Sequence, residues 1–367
     1  MMHLYIHIPF CKKKCNYCDF YSIPVFENDN RINIYLDSLF NEFRKHPYVP
    51  GETVFQTVYI GGGNPGLLNT SQLDKILKIL PTANAEEISI ELNPDSVSLD
   101  KIKILKENKV NRFSFGLQTT EDNELKFLGR THTFFDFKKS YELAKKLGFN
   151  NINVDLIYGF PGQSIESFIK SLNKVIDLQP EHLSVYEFSK SRYRDWYQDW
   201  ELDEGMAIKM WDEKIKILSA AGFKIYEISN FCIDGFECKH NLGIWNGEDY
   251  LGLGASAHSR IKYKRWDNVS NVDIYIKKNG IAINQSIDLT KKDLIFEYIL
   301  LGLRTTYGIN RDRFKSIFDI DIVNYLKDII AENIKYFNIN PGYINLKLSS
   351  FSIYDTIIEN IYDKMFP

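Results

Sequence analysis

Residues 4–18 read LYIHIPFCKKKCNYC, in which an apolar, β-branched run leads directly into three closely spaced cysteines. The run is typical of a buried strand, and Cys11, Cys15 and Cys18 follow at its expected carboxyl end. One short loop with this spacing can wrap three thiolates around a single metal centre. The stretch therefore predicts a first strand that carries a metal-binding loop.

Five further runs are rich in β-branched and aromatic residues, and segments with helical spacing and charged faces separate them. The runs are residues 57–62, 87–92, 112–118, 152–159 and 182–188, and the helical segments are residues 32–44, 71–80, 99–108, 137–147 and 165–178. Strand alternating with helix indicates an α/β protein with a parallel sheet. Six such units predict a partial (β/α)6 barrel of the TIM type, and a doubly wound open sheet is the alternative.

Polar and glycine-rich residues follow these strands at their expected carboxyl ends. GGGNP follows the second strand, ELNP and GLQ end the third and fourth, and DLIYGFPGQ closes the fifth. One such cluster would be ordinary turn chemistry. Together with the cysteine loop after the first strand, these make five clusters in succession. Because barrel proteins build their sites at the carboxyl ends of the strands, the five clusters predict a functional site there.

The pattern changes after about residue 200. A helical stretch at residues 205–221 precedes a strand-like run at 223–229 and a glycine-rich passage at 240–259, and beyond about 270 isoleucine, asparagine and lysine become frequent. Residues 294–303 have helical spacing and residues 343–348 resemble a strand. We expect a core of residues 1–265 and a smaller α+β carboxyl-terminal domain of residues 266–367.

Composition narrows the class of protein and its compartment. The 367 residues carry a net charge of −3, which gives no electrostatic indication of nucleic acid as a partner. No apolar run reaches the length of a transmembrane segment, and the amino terminus lacks the features of a signal peptide. We therefore expect a cytoplasmic protein whose thiols stay reduced, so that metal is favoured over disulfides for the clustered cysteines.

The three cysteines leave two kinds of metal centre open. A structural zinc site normally takes four ligands, and Cys232 and Cys238 lie far along the chain from this loop. A [4Fe–4S] cluster on three cysteines instead leaves one iron open to a small molecule. The alternative is a zinc-stabilised interaction module in which His3 or His7 completes the site.

The spacing CxxxCxxC after a first strand, with Tyr17 before the last cysteine, resembles the radical S-adenosylmethionine superfamily. The resemblance implies a [4Fe–4S] cluster on Cys11, Cys15 and Cys18 whose open iron binds S-adenosyl-L-methionine. Reduction of the cluster can then cleave that cofactor to a radical, which is chemistry of the cofactor rather than of the side chains.

A longer series of motifs resembles the family of oxygen-independent coproporphyrinogen III oxidase and its heme-chaperone branch. The motifs YIHIPFC, YIGGGNP, ELNP, RFSFGLQ, LGRTH, DLIYGFPGQ and YEISNF occur in the family's order between about residue 4 and residue 266, and a weaker match continues through residues 301–309. The resemblance assigns S-adenosylmethionine binding to Tyr5, Tyr17, Gly62, Gly63, Asn64, Glu91, Gln118, Arg130 and Asp155. The glycine turn should bring backbone N–H groups close to the cofactor, and Asn64 stands where the family usually has Thr.

Two local features favour the chaperone branch over the oxidase. Phe20 stands where the oxidase carries a fourth cysteine, and a phenyl ring cannot replace a thiol. HNLGIW at residues 240–245 resembles the branch's HNxxYW motif, which implies heme binding by His240, Asn241 and Trp245. Ile244 departs from the motif's Tyr, and Cys238 is an alternative thiolate ligand to heme iron.

The resemblance thus implies a heme chaperone that binds the cluster, S-adenosylmethionine and heme, and transfers heme to a membrane respiratory protein. Its expected reductant is a flavodoxin or a ferredoxin. Whether it is also an enzyme that cleaves S-adenosylmethionine stays open, and no catalytic side chain is assigned. The alternatives are oxidative decarboxylation of coproporphyrinogen III, against which Phe20 argues, and the zinc-stabilised module.

Overall fold

The computed structural model describes residues 2–26, 29–49, 53–80, 84–189, 200 and 202–367. Six strands lie side by side in chain order, each parallel to its neighbours. They are β1 (Met2–Ile8), β2 (Thr57–Gly62), β3 (Glu87–Leu92), β4 (Arg112–Gln118), β5 (Ile152–Tyr158) and β6 (His182–Glu187). All six agree with the strands predicted from the sequence.

Helices connect these strands and cover the outer face of the sheet. They are α1 (Asn30–Lys45), α2 (Thr70–Ile79), α3 (Leu99–Glu107), α4 (Asp122–Leu128), α5 (Phe134–Lys146) and α6 (Ile165–Ile176). Reciprocal hydrogen bonds between Asn69 and Gln72, and between Thr133 and Asp136, cap the amino ends of α2 and α5. Helix α4 is the one connection among these that the sequence pattern did not predict.

The sheet continues beyond both edges of the parallel set. Its further strands are β7 (Lys224–Ile225), β8 (Asn230–Cys232), β9 (Asp249–Leu253), β10 (His258–Ile261), β11 (Lys264–Asn268) and β12 (Ile283–Asp288). The strand order is β12-β11-β10-β9-β1-β2-β3-β4-β5-β6-β8-β7. Strand β9 is parallel to β1, and the other five strands pair antiparallel, so the barrel is partial and the described sheet does not close on itself.

The parallel strands are buried on both faces, which explains their nearly continuous apolar character. Ile6, Val58, Ile90, Phe113 and Val154 are among the side chains that are almost fully removed from solvent. At the carboxyl end of β1, a short parallel pairing of Phe10–Cys11 with Ile23–Pro24 brackets the cysteine loop. The loop therefore begins and ends on ordered backbone.

The carboxyl-terminal part of the chain has an apolar core of its own and contains both helices and strands. Its elements are α10 (Lys291–Leu303), α11 (Arg311–Phe318), α12 (Ile322–Tyr325), α13 (Lys327–Asn333), α14 (Tyr354–Met365), and a small sheet of β13 (Ile309–Asn310), β14 (Phe337–Ile339) and β15 (Tyr343–Leu346) in the order β13-β15-β14. The expected boundary between residues 265 and 266 falls inside β11. Strands β11 and β12 both belong to the large sheet, and the boundary between two domains stays a prediction.

Among the residues that the structure describes, three helices lie between β6 and this unit: α7 (Glu204–Ala220), α8 (Lys239–Trp245) and α9 (Val272–Lys277). Helix α8 crosses the amino ends of the first strands and contacts β1, β2, β9 and α10. This close packing depends on Gly243, since a Cβ atom there would lie 2.0 Å from the imidazole of His3. Helix α8 thereby forms the floor of the barrel.

The substitution Gly243→Ala should destabilise the protein, because the added methyl group forces α8 away from β1. We expect a loss of about 1–3 kcal/mol in the free energy of unfolding, measured by chemical denaturation. Gly342→Ala is the matched control, since its Cβ would meet nothing closer than 3.7 Å. Equal stability of the two variants would contradict this account of the floor.

Candidate functional site

A cavity of about 330 Å³ lies inside the barrel and extends to the cysteine loop. Most residues that the sequence assigned to cofactors line it: Cys11, Cys15, Cys18, Tyr17, Gly62, Gly63, Asn64, Glu91, Gln118, Arg130, Asp155 and Asn241. Tyr5, His240 and Trp245 are not among its described lining residues. The structure thus brings the cluster cysteines and most of the expected S-adenosylmethionine residues to one place.

The cysteine loop is fastened to helix α4. The backbone N–H of Asn16 donates to the carbonyl oxygen of Leu128 at 3.0 Å, and its side-chain amide donates to that of Phe127 at 2.9 Å. Gly129 ends α4 in a left-handed conformation, and a Cβ there would lie 3.2 Å from Asn16. The glycine of the LGRTH motif therefore permits the close approach of the loop.

The thiols occupy surroundings that suit a cluster. Arg130 donates from Nη1 to Sγ of Cys15 at 3.6 Å and from Nη2 to Asn93 and Gly116, so a buried positive charge lies beside the sulfur. Burial raises the pKa of Cys11 to about 12, which means that loading with iron must displace protons. Hydrogen bonds and charges near the sulfurs are the means by which a protein sets a cluster's potential.

Within the described part of the chain, no three His, Cys, Asp or Glu side chains are grouped to hold one metal ion. A [4Fe–4S] cubane does not need such a group, since each cysteine binds a different iron. The three cysteines that line one cavity therefore fit a cluster of several irons.

The glycine turn lies at the carboxyl end of β2, and Gly62 and Gly63 line the cavity. Its amides bind the protein itself: Gly62 donates to Glu91 at 3.0 Å, and Gly63 donates to the carbonyl of Ile8 at 2.9 Å. Glycine is required because a Cβ on Gly62 would lie 2.6 Å from the ring of His7, and one on Gly63 would lie 2.7 Å from a backbone oxygen. These contacts hold the turn against β1 and β3, and the expected approach of its backbone N–H groups to the cofactor stays a prediction.

Asn64 has an unused donor at the same turn. Its Oδ1 accepts from the backbone N–H of Asn93 at 3.2 Å and from Oγ of Ser96 at 3.3 Å. Its Nδ2 is buried and has no partner among the residues that the structure describes. A buried amide without a hydrogen bond lowers the stability of the protein. We therefore expect a ligand in the cavity to accept a hydrogen bond from Nδ2.

Two carboxylates face the interior of the barrel. Glu91 accepts from the hydroxyl of Tyr59 at 2.9 Å and from Gly62, and burial together with the charge of Asp155 raises its pKa to about 7. Asp155 accepts from Asn153 at 2.7 Å, and burial raises its pKa as well. Such groups can accept hydrogen bonds from the hydroxyl and amino groups of a bound ligand.

Gln118 and Tyr5 are two further residues that the sequence assigned to S-adenosylmethionine. Gln118 ends β4 with φ of +81°, a strained conformation for a residue other than glycine, and it lines the cavity. The hydroxyl of Tyr5 is hydrogen-bonded to Nδ1 of His7 at 3.0 Å, and its ring lies 6.2 Å from that of Tyr59. Tyr59 lines the cavity and Tyr5 is not among the described lining residues, so the expected contact between Tyr5 and the cofactor stays a prediction.

The imidazole of His240 belongs to the barrel floor. The hydroxyl of Thr57 bridges two histidines, 2.7 Å from Nδ1 of His240 and 2.8 Å from Nδ1 of His3. The ring of His240 also packs on Tyr59 with a centroid distance of 5.1 Å, and burial lowers its pKa to about 3. These contacts bury the imidazole in the floor, and its role as a heme ligand stays a prediction.

The other members of the expected heme motif are similarly engaged. Trp245 packs against Tyr226 and has the guanidinium of Arg304 5.5 Å from its ring. Asn241 lines the barrel cavity instead of a separate heme site. Cys238, the alternative ligand, is fully buried with its sulfur 3.5 Å from Glu87.

The sequence analysis missed several polar residues that line the cavity. Arg112 and Ser114 on β4, Asn153 on β5 and Ser184 on β6 face the interior. Arg112 is almost fully buried, and its Nε has no hydrogen-bond partner among the described residues. The available signal was polar residues at alternate positions of otherwise apolar strands, which places them on one face.

Comparisons with known proteins agree with this geometry. The sequence profile of the Radical SAM superfamily matches residues 5–175. The heme chaperone HemW of Bacillus subtilis is 38% identical over 328 residues, covering 86% of this chain and 86% of the relative. That of Escherichia coli K12 is 35% identical over 271 residues, covering 71% of each chain.

A mouse relative and a solved structure extend the comparison. The mitochondrial radical S-adenosyl methionine domain-containing protein 1 of Mus musculus is 30% identical over 336 residues, covering 85% of this chain and 75% of the relative. The fold matches that of coproporphyrinogen III oxidase (HemN) from Escherichia coli with a TM-score of 0.85 and 24% identity, covering 98% of this chain and 89% of that one. The second likeness shows the fold alone.

The pKa of Glu91 leads to a prediction about the binding of S-adenosylmethionine. Affinity should rise between about pH 6 and pH 8, because Glu91 loses its proton and becomes a full hydrogen-bond acceptor. Glu91→Gln should weaken binding about tenfold, or ~1.4 kcal/mol, and remove this dependence on pH. Anaerobic calorimetry on cluster-loaded protein measures both.

Glu42→Gln is the matched control for this experiment. Glu42 is also buried, with a pKa raised by burial to about 7, but it binds Asn268 and Gly254 outside the cavity. Its replacement should leave the dependence of cofactor affinity on pH unchanged. If both variants keep the wild-type pH profile, Glu91 does not contact the cofactor.

Proposed function

Since the chain belongs to the family of the heme chaperone HemW within the radical SAM superfamily, we propose that it binds heme and passes it to another protein. Its cofactors are a [4Fe–4S] cluster and S-adenosylmethionine. The observation that carries the proposal is that Cys11, Cys15 and Cys18 line one cavity with Asn64, Glu91 and Asp155, while Phe20 occupies the position of the oxidase's fourth cysteine.

We propose roles in this cavity for the chain's own residues. The cluster, when bound to the three cysteines, supplies an electron for S-adenosylmethionine. Arg130 donates to Cys15 and adds positive charge beside the sulfur, which favours the reduced cluster. Asn64 offers its unpaired amide to the cofactor, and Glu91 and Asp155 accept hydrogen bonds from it.

Phe20 supports heme handling over porphyrinogen oxidation. Its side chain is 67% exposed and lines the outer part of the cavity, so the position offers an apolar ring where the oxidase has a thiol. An exposed aromatic ring suits contact with another apolar surface and contributes no redox chemistry. Decarboxylation of coproporphyrinogen III is the rival function to be tested.

The identities of the heme recipient and of the reductant are proposals that rest on the family. We expect a membrane respiratory protein as the heme recipient and a flavodoxin or ferredoxin as the reductant. No helix in the described part of the chain is long and apolar enough to span a bilayer. We propose the cytosol as the compartment, because cysteines must stay reduced to hold iron.

Replacement of Cys11, Cys15 and Cys18 by Ala should abolish the cluster. Anaerobically reconstituted wild-type protein should contain about four iron and four sulfide ions per chain, and the triple variant almost none. Cys232→Ser is the control, because Cys232 is a buried free thiol on β8 outside the cavity. Zinc without acid-labile sulfide in the wild-type protein would instead establish the zinc-stabilised module.

The reconstituted protein should bind heme and leave coproporphyrinogen III unchanged. One sample can be titrated with heme, followed by absorption, and then incubated anaerobically with coproporphyrinogen III, S-adenosylmethionine and a reductant. We expect saturable heme binding and no protoporphyrinogen IX by chromatography. Sustained turnover would overturn the assignment to heme transfer.

A further inference from the structure

Lys214 occupies a core position of helix α7. The buried face of this helix consists of Met210, Trp211, Lys214 and Leu218, and Lys214 is only 1% exposed. The inward stripe of an amphipathic helix is normally apolar, because a buried ammonium group loses its hydration. Lys214 has no ion pair with a residue that the structure describes. A lysine at this position therefore needs a reason other than packing.

Aromatic rings and one hydroxyl surround the ammonium group of Lys214. Its Nζ lies 3.9 Å from the ring centroid of Trp211, 4.7 Å from that of Tyr158 and 5.5 Å from that of Phe231. Rings at these distances attract a cation through their quadrupoles. Nζ also donates a long hydrogen bond, of 3.5 Å, to the hydroxyl oxygen of Tyr158. These contacts hold the ammonium group beside Tyr158.

The hydroxyl of Tyr158 connects Lys214 to the carboxylate of Glu187. Tyr158 donates to Oε2 of Glu187 at 3.0 Å. An ammonium group only donates and an ionised carboxylate only accepts, so both hydrogen bonds of the chain run from Lys214 toward Glu187. Hydrogen bonds that run in one direction inside a protein polarise and strengthen one another. The chain therefore fixes the position of the carboxylate and favours its ionised form.

Glu187 presents this carboxylate to the barrel cavity. It ends β6, which is the edge of the parallel set farthest in strand order from β1 and its cysteine loop, and it lines the cavity. Its side chain is exposed, and Oε1 has no hydrogen bond to a residue that the structure describes. One oxygen of a positioned carboxylate is thus available to a ligand in the cavity.

We propose that Glu187 is a further binding residue for S-adenosylmethionine and that Lys214, acting through Tyr158, is the residue that positions it. The cofactor carries a sulfonium, an ammonium and one carboxylate, so its net charge is positive, and its amino and hydroxyl groups are donors. An anionic acceptor suits such a ligand and repels the propionates of heme. The inference rests on the proposed function, which places this cofactor in the barrel cavity.

The test measures the affinity of the full-length, cluster-loaded protein for S-adenosylmethionine by anaerobic calorimetry. Glu187→Gln keeps the shape of the side chain and removes its charge, so the Kd should rise about tenfold. Lys214→Met and Tyr158→Phe should each raise the Kd about fivefold, because Glu187 then loses the chain that fixes its position.

Two further readouts distinguish positioning from a purely structural role. Lys214→Met should weaken cofactor binding in the wild-type background and have no further effect in a Glu187→Gln background. Its free energy of unfolding, measured by chemical denaturation, should not fall, because methionine at a core position removes the cost of a buried charge. A loss of affinity of equal size in both backgrounds would overturn the positioning role of Lys214.

Matched controls replace comparable residues that are not among the described lining of the cavity. Lys209→Met replaces an exposed lysine on α7, and Tyr141→Phe removes a hydroxyl that donates to the carbonyl of Leu178 at 3.0 Å. Both should bind S-adenosylmethionine as the wild-type protein does. Iron and sulfide contents should be equal in all proteins, which verifies that each is folded and loaded.

The outcomes separate this inference from the proposed function. If the Glu187, Lys214 and Tyr158 variants bind S-adenosylmethionine as the controls do, the inference is rejected and the proposed function stands. If the wild-type protein binds S-adenosylmethionine but no heme, heme transfer fails as the function, and the measurements on the variants still decide the inference. Weaker cofactor binding in the three variants, with heme titrating as in the wild-type protein, supports both.

Discussion

The hydrogen bonds between helix α8 and the first residues of β2 and β3 hold the barrel together at its floor. Glu87 accepts from the backbone N–H groups of Lys239 and His240 at the amino end of α8, where the helix leaves donors unpaired. Thr57 joins the imidazoles of His3 and His240. With the floor fixed, β9 can pair with β1 and lead the chain toward the carboxyl-terminal unit.

The interior above this floor is polar, which is unusual for a parallel sheet and costly unless its groups are paired. The protein pairs most of them with each other: Glu91 with Tyr59, and Asp155 with Asn153. The buried Nδ2 of Asn64 and Nε of Arg112 have no hydrogen-bond partner among the described residues. A polar ligand that enters from the side of the cysteine loop would pair with these groups. The need to pair buried polar groups therefore shapes the barrel interior and also favours a polar ligand in it.

The fold separates two kinds of chemistry. Electron transfer and the polar cofactor belong inside the barrel, beneath a loop that α4 anchors through Asn16. Apolar surface lies outside, in the groove between the β10–β11 hairpin and the carboxyl-terminal helices.

The sequence by itself determined the six parallel strands, the cysteine loop and part of the cavity lining. Strand and helix periods are local, and motifs at successive strand ends converge wherever parallel strands share an edge. It did not determine β9 as a seventh parallel strand, the end of the sheet at Asp288, or the burial of His240. Only the tertiary structure decided these, because strand neighbours, the extent of the sheet and side-chain access arise from contacts between residues far apart in the chain. The glycine turn shows the difference most clearly: its glycines were visible in the sequence, but their partners in β1 were not.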